Sequence, residues 1–438
     1  MKKKIKWIIL SFFIIVLAGL GYVYFNYLFI SNFTSNQIKQ LELLELPKSE
    51  VYKVTSTAKG DNQSKLARLG DTVFTYYLDN SGCVDASARG NDKTMRLLLI
   101  SSNGEIVEFD SIDVWMHGNV LVDETREIIY YTTYEEVLVG QEYFGQVKIY
   151  TYDFHQGDPV RISETMLKDD QSYPFEANPR VGADIDQDGN IAVAYSNYQG
   201  MMFVHVYDAV NNTWTEHKIE YYLDTYLYDC NLYPYVRLDG TNHIRLIANR
   251  DTSVGPDGNY TEDLARDYTR YFSYENGVWT NWVFSDLRDE TEKNGESSTS
   301  VPMDLFLDSN DTSHIIMKED NQLVYYLIDR EGNTTYHELP DLKLDVAVQF
   351  IRILEVNQRM FFVVSGQGIT GFSRVGYLAI YDYETEELLY QSNQACYTPY
   401  LYIIEKPTSS TIDIMVISRD KDYDEHSSTY YFQLQLTE

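Results

Sequence analysis

The sequence predicts an all-β protein, a β-propeller of seven four-stranded blades, with one transmembrane helix at the N-terminus. Three observations predict it: a hairpin pattern that returns seven times, a second hairpin after most of these, and an early apolar run preceded by lysines.

In chain order the apolar run comes first. From Trp7 to Ile30 only Ser11 and Asn26 interrupt a stretch of apolar and aromatic residues, and about 20 such residues cross the hydrocarbon core of a bilayer. Lys2, Lys3, Lys4 and Lys6 precede it; positive residues stay on the cytoplasmic side, which sends the rest of the chain outward. Residues 1–30 thus read as a cytoplasmic tip and signal anchor, and the expected location is the outer face of a cell membrane. A cleaved signal peptide is the rival reading, because Gly19 and Gly21 form a small-x-small pair. No cysteine follows the run, which argues against a lipoprotein. Residues 31–50 carry leucines at mixed spacing among polar residues and read as a short helical stalk. Residues 51–438 are left for the extracellular domain.

Charge narrows the partners. The chain holds 35 basic and 66 acidic residues, and four of the lysines but none of the acids lie in the first thirty. A surface this acidic, with no basic cluster beyond the membrane, repels phosphates and argues against nucleic acid. Acidity also serves solubility without bearing on the fold. Cys83, Cys230 and Cys396 are too few and too scattered for a disulfide framework or a C-x-x-C metal site, so at most one bridge forms.

The repeat organises everything after the stalk. From Pro179 an alternating segment leads to an Asp-rich turn with Gly189, and Ile191, Val193 and Tyr195 alternate again, which is a β-hairpin. The same pattern starts at Pro234, Pro302 and Pro399, and weaker copies start near Lys65, His117 and Phe350. The starts lie 52, 62, 55, 68, about 48 and 49 residues apart, the length of a four-stranded blade with variable loops. Second hairpins follow over 95–112, 202–219, 271–284, 322–339 and 376–391, with turns at Asn103 and Gly104, Asn211 and Asn212, Asn276 and Gly277, Gly332, and Thr385. The last unit lacks one strand, and Val51 to Ser56 is a strand without a hairpin. Pairing the two satisfies both exposed edges and closes a ring of seven, with six or eight as the neighbouring counts.

Three second hairpins carry Ser273, Glu275, Gly277 and Trp279; Asp208, Thr213 and Trp214; and Asp329, Gly332, Thr335 and Tyr336. This pattern resembles the Asp-box, S-x-D-x-G-x-T-W, of the sialidase-like (BNR-repeat) propellers. The resemblance implies a structural turn in which the acid accepts backbone N–H bonds and the aromatic packs between sheets. Sialidase activity would further need an arginine triad, a Tyr/Glu pair and an Asp acid, led by a Phe-Arg-Ile-Pro motif. Arg161 and Arg352 each precede an isoleucine, but no proline follows either. The catalytic set is not carried over, and a shared fold brings no function with it.

Candidate sites are few. Asp184, Asp186 and Asp188 with Gly189 spell the opening of a calcium loop, in which alternate carboxylates converge on one hard cation. The closing acid is missing, since Tyr195 stands at the twelfth position and Ala192 at the ninth, and a plain hairpin turn explains the same residues. Calcium is the one cofactor considered. The eight histidines show no metal spacing, and neither G-x-S-x-G nor a glycine-rich phosphate loop occurs. The 39 tyrosines, such as Tyr130, Tyr131 and Tyr134 or Tyr221, Tyr222 and Tyr226, suit either packing in strands or stacking against sugars. Loop length separates the two faces of the ring: turns inside hairpins are short, while the links Asp79 to Lys93, Asn249 to Asp267 and Ser418 to Ser428 are long and charged. Binding residues concentrate on such loops. Two of them open with Arg250 and Asp251 and with Arg419 and Asp420, the ligand-binding candidates; as plain solvated ion pairs they would contribute under about 1 kcal/mol each.

The function expected is therefore a binding or scaffolding module for a protein or a cell-surface glycan, displayed outside a Gram-positive bacterium. The alternative is a carbohydrate-active enzyme, a sialidase-like glycoside hydrolase or lyase.

Overall fold

A computed structural model describes residues 37–50, 64–79, 93–114, 116–139, 142–169, 181–196, 201–220, 231–251, 269–283, 300–319, 322–339, 346–370, 373–392, 400–407, 409–419 and 426–437. Every regular element among them is a strand, and the strands form seven four-stranded antiparallel sheets, the blades of a propeller. No helix among the described residues is long and apolar enough to cross a membrane, and Trp7 to Ile30 lies outside them.

Strand β1 (Ile38–Glu50) belongs to the last blade. The first blade is β2 (Ala67–Leu69), β3 (Thr72–Asp79), β4 (Lys93–Ile100) and β5 (Ile106–Val114). The second is β6 (Met116–Asp123), β7 (Ile128–Val139), β8 (Glu142–Asp153) and β9 (Val160–Asp169). The third is β10 (Val181–Ile185), β11 (Ile191–Ser196), β12 (Met201–Asp208) and β13 (Thr213–Glu220). The fourth is β14 (Asn231–Leu238), β15 (His243–Asp251), β16 (Thr269–Glu275) and β17 (Val278–Val283). The fifth is β18 (Ser300–Leu307), β19 (Ser313–Glu319), β20 (Gln322–Ile328) and β21 (Thr334–Glu338). The sixth is β22 (Val346–Val356), β23 (Arg359–Thr370), β24 (Ser373–Asp382) and β25 (Leu388–Gln391). The seventh joins β26 (Tyr400–Ile403), β27 (Thr411–Arg419) and β28 (His426–Leu436) to β1, in the order β1-β28-β27-β26.

The ring closes on its own N-terminal strand, but the strand differs from the expected one. Ile38–Glu50, expected to be a helical stalk, pairs antiparallel with β28 from Ile38↔Leu436 to Glu50↔His426. The physical reason is two irregularities, between Gln40 and Glu42 and between Leu46 and Ser49. Each shifts the side-chain alternation by a residue, and Leu41 and Leu43 are exposed while Leu46 is buried, so the leucines fall at mixed spacing along the strand. Pro47, which cannot donate to a ladder, sits within the second irregularity, on the outermost strand where a missing N–H is tolerated. Val51 to Ser56, expected to be the closing strand, lies outside the described residues.

The core is a set of wedges between blades. Seven buried apolar clusters each join one blade to the next around the ring. Strand β11 shows why its sequence is a continuous apolar run. Ile191, Val193 and Tyr195 pack with the second blade and Ala192 and Ala194 with the fourth, so both faces are buried. Polar contacts close the last seam: Arg68 donates to Asp413 from Nε at 2.7 Å and from Nη2 at 2.6 Å, joining the first blade to the seventh. Tyr431 donates to the same carboxylate at 2.5 Å, and Lys65 Nζ lies 4.6 Å from the Tyr402 ring centroid.

Candidate functional site

Antiparallel blades sort their connections by face. Turns from first to second strand and from third to fourth share one face of the ring, and links from second to third strand and from blade to blade share the other. On the first face the turns are tight and internally capped. Asn276 and Gly277 both take positive φ, 50° and 91°, as a two-residue hairpin of the right twist requires. Asp208 accepts from Val210 N and Asn211 N, each at 2.9 Å, and Asp329 accepts from Asn333 N at 2.7 Å. Trp214 and Trp279 pack against inter-blade clusters. Of the three Asp-box-like turns, only that of Asp208 and Trp214 thus combines the two features the resemblance implies; at the Asp329 turn the acid accepts from its own turn but Tyr336 is 48% exposed. The third departs, because Glu275 receives Arg245 Nη2 at 2.7 Å instead of its own turn.

The aspartates of the suspected calcium loop diverge. Asp184 Oδ2 accepts from Leu238 N of the next blade at 2.8 Å. Asp186 caps its own turn, accepting from Asp188 N at 2.9 Å, from Asn190 N and Nδ2 at 2.8 Å, and from Gly240 N at 2.9 Å. Asp188 contributes its backbone carbonyl to Arg126 Nη2 at 2.9 Å. Among the described residues no group of three or more His, Cys, Asp or Glu side chains is placed to hold a metal ion.

Arg250 and Asp251 end β15, opposite Leu232 and Asn231, and Arg419 ends β27 opposite Ser427. Arg250, Asp251 and Arg419 thus mark the long-link ends of second strands, in the fourth and seventh blades, three apart in a ring of seven. Asp420 lies outside the described residues, as do 80–92, 252–268 and 420–425 of the long links. Of the tyrosines, Tyr130, Tyr131 and Tyr134 are buried in inter-blade clusters, which is packing; Tyr221, Tyr222 and Tyr226 lie outside the described residues.

The most concentrated chemistry is on the axis, at a cluster the sequence reading did not assemble. First strands of successive blades run side by side there. They supply Asp184 from β10, Arg237 from β14, Asp304 from β18 and Arg352 from β22, and the turn after β26 supplies Glu405. The signs alternate around the ring. Arg237 Nη2 donates to Glu405 Oε1 from three blades away and lies 3.9 Å from Asp304 Oδ1. Arg352 Nη1 lies 3.8 Å from the same oxygen. Asp304 Oδ2 accepts from Ile353 N at 2.7 Å, repeating the bond from Leu238 N to Asp184 one blade pair earlier. In both, the donor is the residue after the arginine, so each blade's aspartate grips the next blade at an Arg-Leu or Arg-Ile step. The side chains of Asp304 and Arg352 are 0% and 3% exposed, against 20% for Glu405. Burial pushes the Asp184 and Asp304 carboxyls upward, against the pull of Arg237 on the first and of Arg352 and Arg237 on the second. Glu405 is pushed up to about 8, first by burial, with Arg237 opposing and Asp304 and Asp184 adding to the rise.

A signal for this cluster exists: a charge flanked by apolar residues in an inner strand, at Asp184 in GADID, Arg237 in YVRLD, Asp304 in PMDLF and Arg352 in FIRIL, recurring with alternating sign. Arg352, weighed in the sequence only as a failed sialidase motif, is one of these. Two arginines, not three, converge among the described residues here, each facing carboxylates. A second buried chain runs between the fifth and sixth blades. Asp308 Oδ2 lies 3.0 Å from His314 Nε2, His314 Nδ1 is bonded to the Tyr325 hydroxyl, and that to the Tyr383 hydroxyl.

No protein-family model matches the sequence, and no curated protein does. Among solved structures, the polysaccharide lyase Uly1 is similar over 91% of this chain and 100% of its own, with a TM-score of 0.56 and 10% identity. A protein from Lactobacillus plantarum is similar over 76% of this chain and 85% of its own, with a TM-score of 0.43 and 11% identity. At such identities the likeness is one of fold, the propeller already described.

Proposed function

We propose that the protein is a binding or scaffolding module, held at the outer face of a membrane by residues 1–30 and presenting its long-link face to a protein or glycan. The observation that carries the reading is the polarity of the ring. On the tight-turn face the aspartates serve their own turns and neighbouring blades, and the axis near that face is crossed by ion pairs. Strand β1 enters from this same face: its first residue, Ile38, is opposite Leu436, where β28 ends. An anchor ending at Ile30 is joined to Ile38 by about 8 residues, at most about 28 Å when extended. The tight-turn face is therefore turned toward the membrane, and the long links, with Arg250, Asp251 and Arg419, are turned away from it. Asp420, next in the chain, goes with them in this reading.

Replacing 249–267 or 79–93 with short Gly/Asn turns tests the reading. Melting should change little, while capture of a protein partner in a pull-down, or of a glycan on an array, should be lost. Retained binding by both variants would place the site elsewhere. The anchor has its own test: the whole protein should stay with membranes through high-salt and alkaline washing, and recovery of a soluble form starting near Tyr22 would favour cleavage.

A second reading, a carbohydrate-active enzyme, is favoured by the likeness to a polysaccharide lyase over the whole length of that chain. The degenerate Asp-boxes point the same way, toward a sialidase-like ancestry. Turnover of acidic polysaccharides or sialosides by the purified domain would establish it over the scaffold.

A further inference from the structure

The hairpin of β7 and β8 runs past the rest of its blade. The first strand of that blade stops pairing at Met116↔Tyr134 and the fourth at Gln146↔Asp169, while β7 and β8 go on pairing with each other through Glu136↔Gly145, Val137↔Phe144, Leu138↔Tyr143 and Val139↔Glu142. Four rungs of two-stranded ribbon therefore continue for about 13 Å beyond the four-stranded sheet. In the fifth blade, by contrast, β19 and β20 end together at Glu319↔Gln322 with the first strand still paired at Ser300↔Glu319. The ribbon joins a second strand to a third, which puts it on the long-link face.

Its base is braced on both sides. Glu135, 4% exposed, accepts from the Tyr150 hydroxyl at 2.6 Å and the Thr133 hydroxyl at 3.1 Å and pairs with Lys148 Nζ at 2.7 Å. The buried Tyr134 crosses Gly145, where an added Cβ would lie 1.9 Å from the Tyr134 hydroxyl oxygen. A two-stranded ribbon is marginal by itself, so these contacts hold an arm in place that the blade does not need for its own sheet.

Among the described residues no third strand pairs with 136–139 or 142–145, and an open edge is a template for one. The rungs are apolar and aromatic apart from Gly145 and the two charges, Glu136 and Glu142. Glu135 adds nothing to these, because Lys148 neutralises it. Two acids beside an open edge, on a chain of formal charge −31, repel a second copy and favour a basic strand.

We propose that this arm is the docking element of the long-link face, and that its occupant is an extended segment of a partner protein, alternating basic and apolar residues, which adds as a strand along one of the arm's open edges. The inference rests on the binding-module reading and deepens it, choosing a protein over a glycan. Backbone bonds to the open edge supply affinity, and Glu136 and Glu142 supply the choice of partner.

The probe is a displayed library of random peptides about twelve residues long, enough for one strand and its flanks, selected on the full-length protein. Survivors should alternate Lys or Arg with Val, Ile or Tyr, and a synthetic survivor should slow amide exchange within 136–139 or 142–145. Glu136→Lys with Glu142→Lys should weaken that peptide by about tenfold or more and leave the melt unchanged, since both residues lie outside the four-stranded sheet. Survivors without basic character, or slowed exchange confined to other residues, would overturn the proposal. Should the double variant not fold, the exchange pattern of the parent decides. If the double variant keeps a partner protein that replacement of 249–267 or 79–93 loses, the arm is wrong and the binding-module reading stands; if all these variants keep it, both fail.

Discussion

The polar contacts Arg68–Asp413 and Tyr431–Asp413 in the seam between the first and seventh blades converge on one carboxylate, and its removal has a calculable cost. Asp413 is fully buried and receives both Arg68 bonds and the Tyr431 hydroxyl, while the Arg68 side chain is 10% exposed. Replacing Asp413 by alanine leaves a guanidinium with no counter-charge in a nearly dry seam and frees a tyrosine hydroxyl in the core. Breaking a buried ion pair from one side costs about 3–5 kcal/mol. An internal control is the pair of Arg96 and Glu108 at 2.8 Å, whose side chains are 33% and 39% exposed, where the loss should stay under about 1 kcal/mol. Urea titration of Asp413→Ala, Glu108→Ala and the parent, followed by fluorescence, measures both. Arg68→Met with Asp413→Leu removes both charges together and should recover much of the single-mutant loss, since two absent charges leave nothing stranded. The reasoning is refuted if Asp413→Ala behaves like Glu108→Ala, or if Arg68→Met and Asp413→Leu lose stability additively.

Further outcomes follow from other parts of the ring. Deleting 38–50 strips β28 of its partner and exposes Leu434 and Phe432 beside an open edge, so the domain should aggregate or lose its sharp melt; an unchanged melt would contradict closure by β1. Gly118→Ala should be among the most damaging substitutions available, because its Cβ would lie 1.7 Å from the Thr132 carbonyl oxygen, and Gly70→Ala, with open space around it and φ +57°, should cost only about 1 kcal/mol by thermal melting. Burial lowers His205 to about 4, so the folded state resists its protonation: stability is intact above about 6.5, the unfolded value, and falls as pH drops toward 4, and His205→Phe should flatten that acid limb of the melting profile. Asp186→Ala should lower stability by about 2–3 kcal/mol through its four lost acceptor bonds, and added calcium should leave the parent's melting temperature unchanged; a rise with calcium would return Asp184, Asp186 and Asp188 to candidacy as ligands.

What the sequence determined by itself was the repeat. Four proline-led hairpins and three weaker copies, with Asp, Asn and Gly turns, placed the seven blades, because a tight turn needs residues that tolerate positive φ, as at Gly189, Gly240, Asn276 and Asn357. That requirement is local, so it is written locally. Strand β1 escaped for a local reason too, since its irregularities erase the alternation by which a strand is read. What only the tertiary structure decided is which distant residues meet. Arg68 and Asp413 lie 345 positions apart, and Arg237 and Glu405 lie 168 apart. Nothing in either neighbourhood names the other; closure of the ring does. The same holds for Asp184, Asp186 and Asp188, whose spacing matches a cation loop: the carboxylates of Asp184 and Asp186 accept from donors in their own turn and the next blade, and Asp188 offers its backbone carbonyl to Arg126. A charge in an apolar strand can be seen in the sequence, but its partner is set by the geometry that brings first strands together around one axis.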